Sequence, residues 1–178
     1  MDEDEYTEDV MIWPTMVELL GCAEAKLTAA NRPVGKSTIQ YGSDIPALEL
    51  DDCDGFLWVR LVDAYPSQAF PNQDIAPVPG GTRIAMAFVL EVAVARCLNT
   101  NADEDGHIFG ADGGPLLPET IFEDARAQMA DMAALRKAIC TCLANKQFIL
   151  GNQASAAPSG LENYTGWAVT VFWDPDDI

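Results

Sequence analysis

The sequence predicts a two-layer α/β sandwich of the α+β kind, a mostly antiparallel sheet of about four strands with two helices on one face. Three segments carry that prediction. Residues 117–143 place apolar side chains at unbroken helical spacing. Residues 83–97 alternate large and small apolar side chains, and 167–173 alternate cleanly again. The order along the chain reads helix, strand, strand, helix, strand, strand, in one domain over 11–178 behind an acidic tail at 1–10.

The first helix starts at Trp13, with Pro14 in its first turn, where a missing N–H costs nothing. Met16, Val17, Leu20, Ala23 and Leu27 then recur at helical spacing, and "NRPVG" at 31–35 ends the run. Residues 36–54 are mixed, with turn chemistry at "YGSD" and "DDCDG". "FLWVRLVDAY" at 56–65 is rich in aromatic and branched residues between Gly55 and Pro66, so it reads as a strand. The prolines of "PSQAFPNQDIAPVPGG" make an irregular connection.

In "RIAMAFVLEVAVARC", Ile84, Met86, Phe88, Leu90, Val92 and Val94 oppose Ala85, Ala87, Val89, Glu91 and Ala93. A large face and a small face suit a long strand inside a two-layer core. The helix at 117–143 carries Ile121, Ala125, Met129, Met132, Leu135, Ile139 and Cys142 on one stripe. Glu119, Glu123 and Asp124 lie in its first turns and Arg136 and Lys137 near its end, as the helix dipole favours. "QFILGNQA" at 147–154 is a short strand, and "SAAPSGLENYTG" turns the chain into the closing strand.

For 178 residues, an apolar fraction of 49% fits one globular domain. The formal net charge is −18, from 28 acidic and 10 basic side chains, which speaks against a phosphate-gripping surface and specific nucleic-acid binding. The acidic N-terminus does not read as a secretory or transit signal. No apolar run reaches the ~18 residues of a membrane span. Five irregularly spaced cysteines without such a signal read as reduced thiols, mostly small buried hydrophobes in a cytoplasmic setting.

Motifs of chemistry are few. "VGKST" at 34–38 ends like a phosphate-binding loop, but Ala30 stands where that motif needs glycine, and a helix precedes it in place of a strand. A turn leading into an extended segment is the plainer reading. "NADEDGHIFGAD" resembles a calcium-binding EF-hand loop. Asn101, Asp103 and Asp105 fall at its first, third and fifth positions, Gly106 at the sharp turn, and Asp112 at the twelfth in place of glutamate. Asn101 lowers the ligand charge, Asp112 is short for bidentate reach, and "GGPLLP" separates the loop from the next helix. Cys140 and Cys142 point apart on a helix and cannot grip one metal ion. His107 is the single histidine, and no serine lies in a nucleophile elbow. These residues predict no enzyme and no cofactor. Trp167, Val169, Val171 and Trp173 share a face of the closing strand, whose edge, if open, could pair with a neighbouring subunit.

"LEVAVARC" at 90–97, the acidic glycine-containing loop after it, "PETIFEDARAQMADMAALRKAIC" at 118–140 and "GWAVTVFWD" at 166–174 form a recognisable series. Together they resemble tail-terminator proteins of long-tailed siphophages that infect actinobacteria, over residues 83 to 174. The resemblance implies a small α/β sandwich and a non-enzymatic homo-oligomeric ring, typically hexameric. That ring caps the tail tube and joins it to the head connector. It also implies tube and connector or stopper proteins as partners, assembly in the host cytoplasm, and a place at the tail–head junction of the virion. DNA would cross the lumen without specific binding, which an acidic wall favours by repelling phosphates. A stopper or adaptor from the same junction is the alternative, and a calcium-binding module using 101–112 is another.

Overall fold

The computed structural model describes residues 12–42, 54–74, 84–97, 100–102, 108–110, 113–115, 117–155 and 162–174. The acidic tail at 1–10 lies outside them. Two helices, α1 (Trp13–Ala29) and α2 (Pro118–Cys142), cover one face of a five-stranded sheet. The strands are β1 (Lys36–Tyr41), β2 (Phe56–Pro66), β3 (Met86–Cys97), β6 (Phe148–Ser155) and β7 (Glu162–Trp173), in spatial order β1-β2-β3-β7-β6. Short strands β4 (Thr100–Ala102) and β5 (Ile108–Gly110) pair separately. The α/β class is as predicted, but the main sheet has five strands and is mixed, because β1 runs parallel to β2. β1 is an edge strand half of whose residues stay exposed, so its six residues show no strong alternation to read.

The core forms where the helices meet the sheet. Leu57 and Val59 of β2, Phe88, Leu90, Val92 and Val94 of β3, and Val169 and Val171 of β7 all point toward the helices. Leu19, Ala23 and Leu27 of α1 and Leu135, Ala138 and Ile139 of α2 close over them. The large-and-small alternation of β3 thus does what its pattern implies. Each fully buried leucine or isoleucine contributes about 1.5–3 kcal/mol of burial. In α1 the buried line is Thr15, Met16, Leu19, Ala23 and Leu27, and Val17 is left exposed.

β7 starts at Glu162, earlier than its alternation suggested, because its first residues pair with the end of β3 (Cys97 with Glu162). It also has no open edge, since β3 flanks one side and β6 the other. Gly166 is needed there: a Cβ would drive into Ala93 of the neighbouring strand.

Two ionic clusters sit in this frame. At the rim, the buried Asp131 of α2 accepts from Arg32 Nε at 2.6 Å, Arg32 Nη2 at 2.7 Å and Arg96 Nε at 2.9 Å. Arg96 also donates to the backbone oxygens of Arg32 at 2.7 Å and Pro33 at 3.0 Å. One carboxylate therefore ties α2 to the end of α1 and to β3. The hydrogen bond to Asp131 raises the Arg32 pKa above its ordinary value, opposed by desolvation and helped by Coulomb attraction. A raised pKa stabilises the fold below its unfolded value and loses that effect only as pH climbs through the folded one, so this contribution is constant at all working pH. Gly55 lies beside this cluster at φ +87°, and a Cβ there would stand 2.6 Å from Arg96 Nη1.

The second cluster is on the sheet face away from the helices. Glu91 accepts from Trp58 Nε1 at 2.9 Å and Arg60 Nη2 at 3.0 Å. Trp58 packs with Ala93 and Ala95, flanked by Phe56 and Tyr164. Glu91, read from sequence as part of a small-residue face, is the buried acceptor for both.

The thiols also differ from expectation. Cys22 of α1 and Cys142 of α2 form a disulfide with Cα atoms 6.5 Å apart, and Cys97 is disulfide-bonded as well. Antiparallel helix packing brings the first pair into register, a tertiary juxtaposition that sequence spacing does not display. Cys140 is free and exposed.

Candidate assembly surface

The helices differ in length. α2 has 25 residues and α1 has 17. At 1.5 Å per residue these are about 37 Å and 25 Å. The Cys22–Cys142 link and the Arg32–Asp131 bridge show that the helices run antiparallel. Moving from the first link to the second advances α1 toward its end and α2 toward its start. Residues 118–130 of α2 therefore extend past the end of α1, an overhang of about 20 Å.

Burial follows that geometry. From Asp131 onward, Asp131, Met132, Ala134, Leu135, Ala138 and Ile139 are buried. Between Pro118 and Ala130 no residue is. The apolar stripe nevertheless continues: Ile121 lies five helical turns before Ile139 on the same line, with Ala125 and Met129 between them. Leu117 is 55% exposed, Ile121 50%, Phe122 68% and Met129 73%. Glu119, Glu123 and Arg126 are exposed around them. A cluster of large exposed apolar groups rimmed by charge is the form of a protein contact site.

The overhang is helical for local reasons. Pro118 occupies the first turn, and Glu119 there complements the dipole. Ala125, Arg126, Ala127, Gln128, Met129 and Ala130 are strong helix formers. The packed half already provides a nucleus, so the overhang only has to propagate from it.

The residues singled out from sequence fall elsewhere. Val169 and Val171 are buried in the core, while Trp167 and Trp173 are partly buried against it. Trp167 Nε1 donates to the Met132 carbonyl at 2.9 Å. With both sides of β7 paired and this face under α2, the four do not form a free subunit surface. Asn101 lies in β4, its backbone opposite Phe109, and a strand precedes the loop where an EF-hand has a helix. Asp103, Asp105, Asp112 and His107 lie outside the described residues. Among the described residues no group of three or more His, Cys, Asp or Glu is placed to hold a metal ion.

"VGKST" leads into β1, and its backbone is already committed. Gly35 N–H donates to the carbonyls of Asp54 and Gly55, both at 3.1 Å. Ser37 Oγ donates to Glu24, and Asp54 stands against Gly35. A phosphate would meet occupied donors and two carboxylates, so this is no phosphate cradle. Among the described residues no helix is long and apolar enough to cross a membrane.

The surface that sequence reasoning missed is Phe122 with the exposed run of Ile121, Ala125 and Met129. The stripe is visible in the sequence, but its pattern does not tell which part the fold covers. A signal was present in the mismatch between a helix over 117–143 and a partner ending near residue 29. Neither a scan against protein-family models nor a search of curated proteins gives a match for this chain.

Proposed function

We propose that this chain is a non-enzymatic structural protein of a phage virion, forming a ring that ends the tail tube and joins it to the head connector. The observation that carries the reading is the overhanging half of α2, where the apolar side chains of Ile121, Phe122 and Met129 are exposed among the described residues. It lies within the 83–174 stretch that resembles tail-terminator proteins. A protein that works by contact needs such a surface, and needs solubility until its partners arrive. The net charge of −18 supplies the second. The same charge suits a wall past which DNA slides, since like charges do not bind. A stopper or adaptor at the same junction would use an equivalent surface, and position in the particle separates the three.

The test is direct. Purified protein, alone and with the tail tube protein, is imaged by negative-stain electron microscopy, and labelled antibody locates it in virions. The expected result is a single ring at the head-proximal end of the tube. A monomer under all these conditions, or label on the head side of the connector alone, rejects the terminator reading.

A further inference from the structure

The Cys22–Cys142 disulfide crosses an interface that other contacts already align. Leu19, Ala23 and Leu27 of α1 and Leu135, Ala138 and Ile139 of α2 share one buried core. Asp131 of α2 also holds Arg32, just past the end of α1. Packing and charge therefore set the alignment of the two helices, and the two cysteines stand opposite each other as a result. Their Cα atoms are 6.5 Å apart, inside the usual range for a disulfide, so neither helix has to move for the bond to open or close.

Access matters as much as alignment. Cys22 and Cys142 pack against the core and keep part of their surface in water. A small thiol or disulfide in solution can reach them with the helices in place. Cys140, free and exposed, lies two residues from Cys142, and helical side chains at that spacing project about 200° apart. It faces away from Cys22 and does not compete for it in the folded chain.

We infer that this disulfide is a reversible latch: the chain folds as the dithiol, and a low-molecular-weight disulfide in the surroundings then closes the bond. In the closing step one cysteine thiolate attacks the small disulfide, forming a mixed disulfide and releasing one small thiol. The second cysteine displaces the other small thiol, so the two protons and two electrons lost by the protein leave with the two small thiols. A reducing compartment runs the same exchange backward. The bond joins residues 120 apart in sequence, and a loop of that size removes much of the freedom of the unfolded chain. Together with the Asp131 bridge it pins α1 to α2 at two points about 16 Å apart along α2. The inference goes beyond the ring reading and stands without it. Under that reading the chain would be a dithiol in the host cell and latched in the released particle.

The test uses the isolated full chain, so its outcome does not depend on ring formation. Protein equilibrated with reduced glutathione is compared with protein equilibrated with oxidised glutathione, alongside a double variant carrying Cys22→Ser and Cys142→Ser. Circular dichroism of the reduced chain should match that of the oxidised chain. Peptide mass spectrometry should find Cys22 joined to Cys142 only after oxidation. The oxidised chain should melt about 10 °C above the oxidised double variant. The Cys97 disulfide is common to both, so its share cancels. Reduced glutathione added to the folded, oxidised chain should release the Cys22 and Cys142 thiols without loss of helical signal. A reduced chain that is unfolded makes the bond a permanent staple and overturns the latch. So does a bond that resists reduced glutathione until the chain melts, Cys22 joined to Cys140 instead, or equal melting of the oxidised chain and the double variant. The reopening measurement on the unmodified chain decides the matter even if the double variant does not fold.

Discussion

The two halves of α2 are alike in sequence and opposite in circumstance. Residues 131–142 lie over β3 and β7 and against α1, with six side chains buried. Residues 118–130 carry the same stripe and bury none. Both halves are helical and both mix strong and weak helix formers, so local propensity does not separate them. What separates them is whether a sheet lies underneath. An amphipathic stripe states that something will cover it, without stating whether that cover is the same chain or another one.

The largest expected effect is in the packed half. Leu135→Ala or Ile139→Ala removes a side chain with no exposed surface and should cost about 2–5 kcal/mol in urea unfolding of the dilute, unassembled protein. A loss under 1 kcal/mol would mean that this half is not part of the core. Asp131→Ala comes next, because it leaves Arg32 and Arg96 facing each other at the rim without their shared carboxylate. Truncating one partner of a buried pair costs about 3–5 kcal/mol. Arg32 and Arg96 keep some exposure to water, so about 3 kcal/mol is expected by the same measurement.

Hydrogen exchange sharpens the comparison at the level of the backbone. Amides of 118–130 should exchange through local fraying, well before those of 132–142, which open only with the fold. Ala127→Gly should lower helicity in the overhang by about 1 kcal/mol locally, while the global unfolding midpoint stays put. Equal protection across the two halves would show that the overhang is covered within the monomer. The smallest effect is expected for Phe122→Ala: less than about 0.5 kcal/mol on the stability of the isolated chain. Its consequence should appear in assembly, as a loss of rings by light scattering at a protein concentration where the unmodified chain forms them.

Much of the fold could be read from residue pattern. The limits of α1 followed from Pro14 and "NRPVG", and the two faces of β3 from its alternation of large with small side chains. The extent of α2 followed from its stripe and its acidic first turn, whereas Arg136 and Lys137 fall short of its last turn. β1 was missed because an edge strand buries little and so leaves little periodicity. The first residues of β7 read as a turn, since Gly166 and the polar residues before it look like a breaker. In the sheet Gly166 instead lets β3 and β7 approach closely at Ala93. Of the candidate contact surface, the stripe residues Ile121 and Met129 were legible, and their exposure was not. Of the four residues chosen on β7, Val169 and Val171 lie in the core and Trp167 and Trp173 pack partly buried against it, because alternation reports a buried face equally well for an inner strand and an edge.

By itself the sequence determined the secondary structure of the helices and long strands, the α/β class, and a strongly acidic surface. Each of these depends on side chains near one another along the chain, or on composition alone. Only the tertiary structure decided that β7 is an inner strand, that Asp131 gathers Arg32 and Arg96, and that Cys22 meets Cys142. It also decided that α2 outruns its partner and leaves Phe122 and Met129 uncovered. Each of these is a relation between elements far apart in sequence, set by where the sheet ends and how the helices are aligned, and a local pattern carries no record of either.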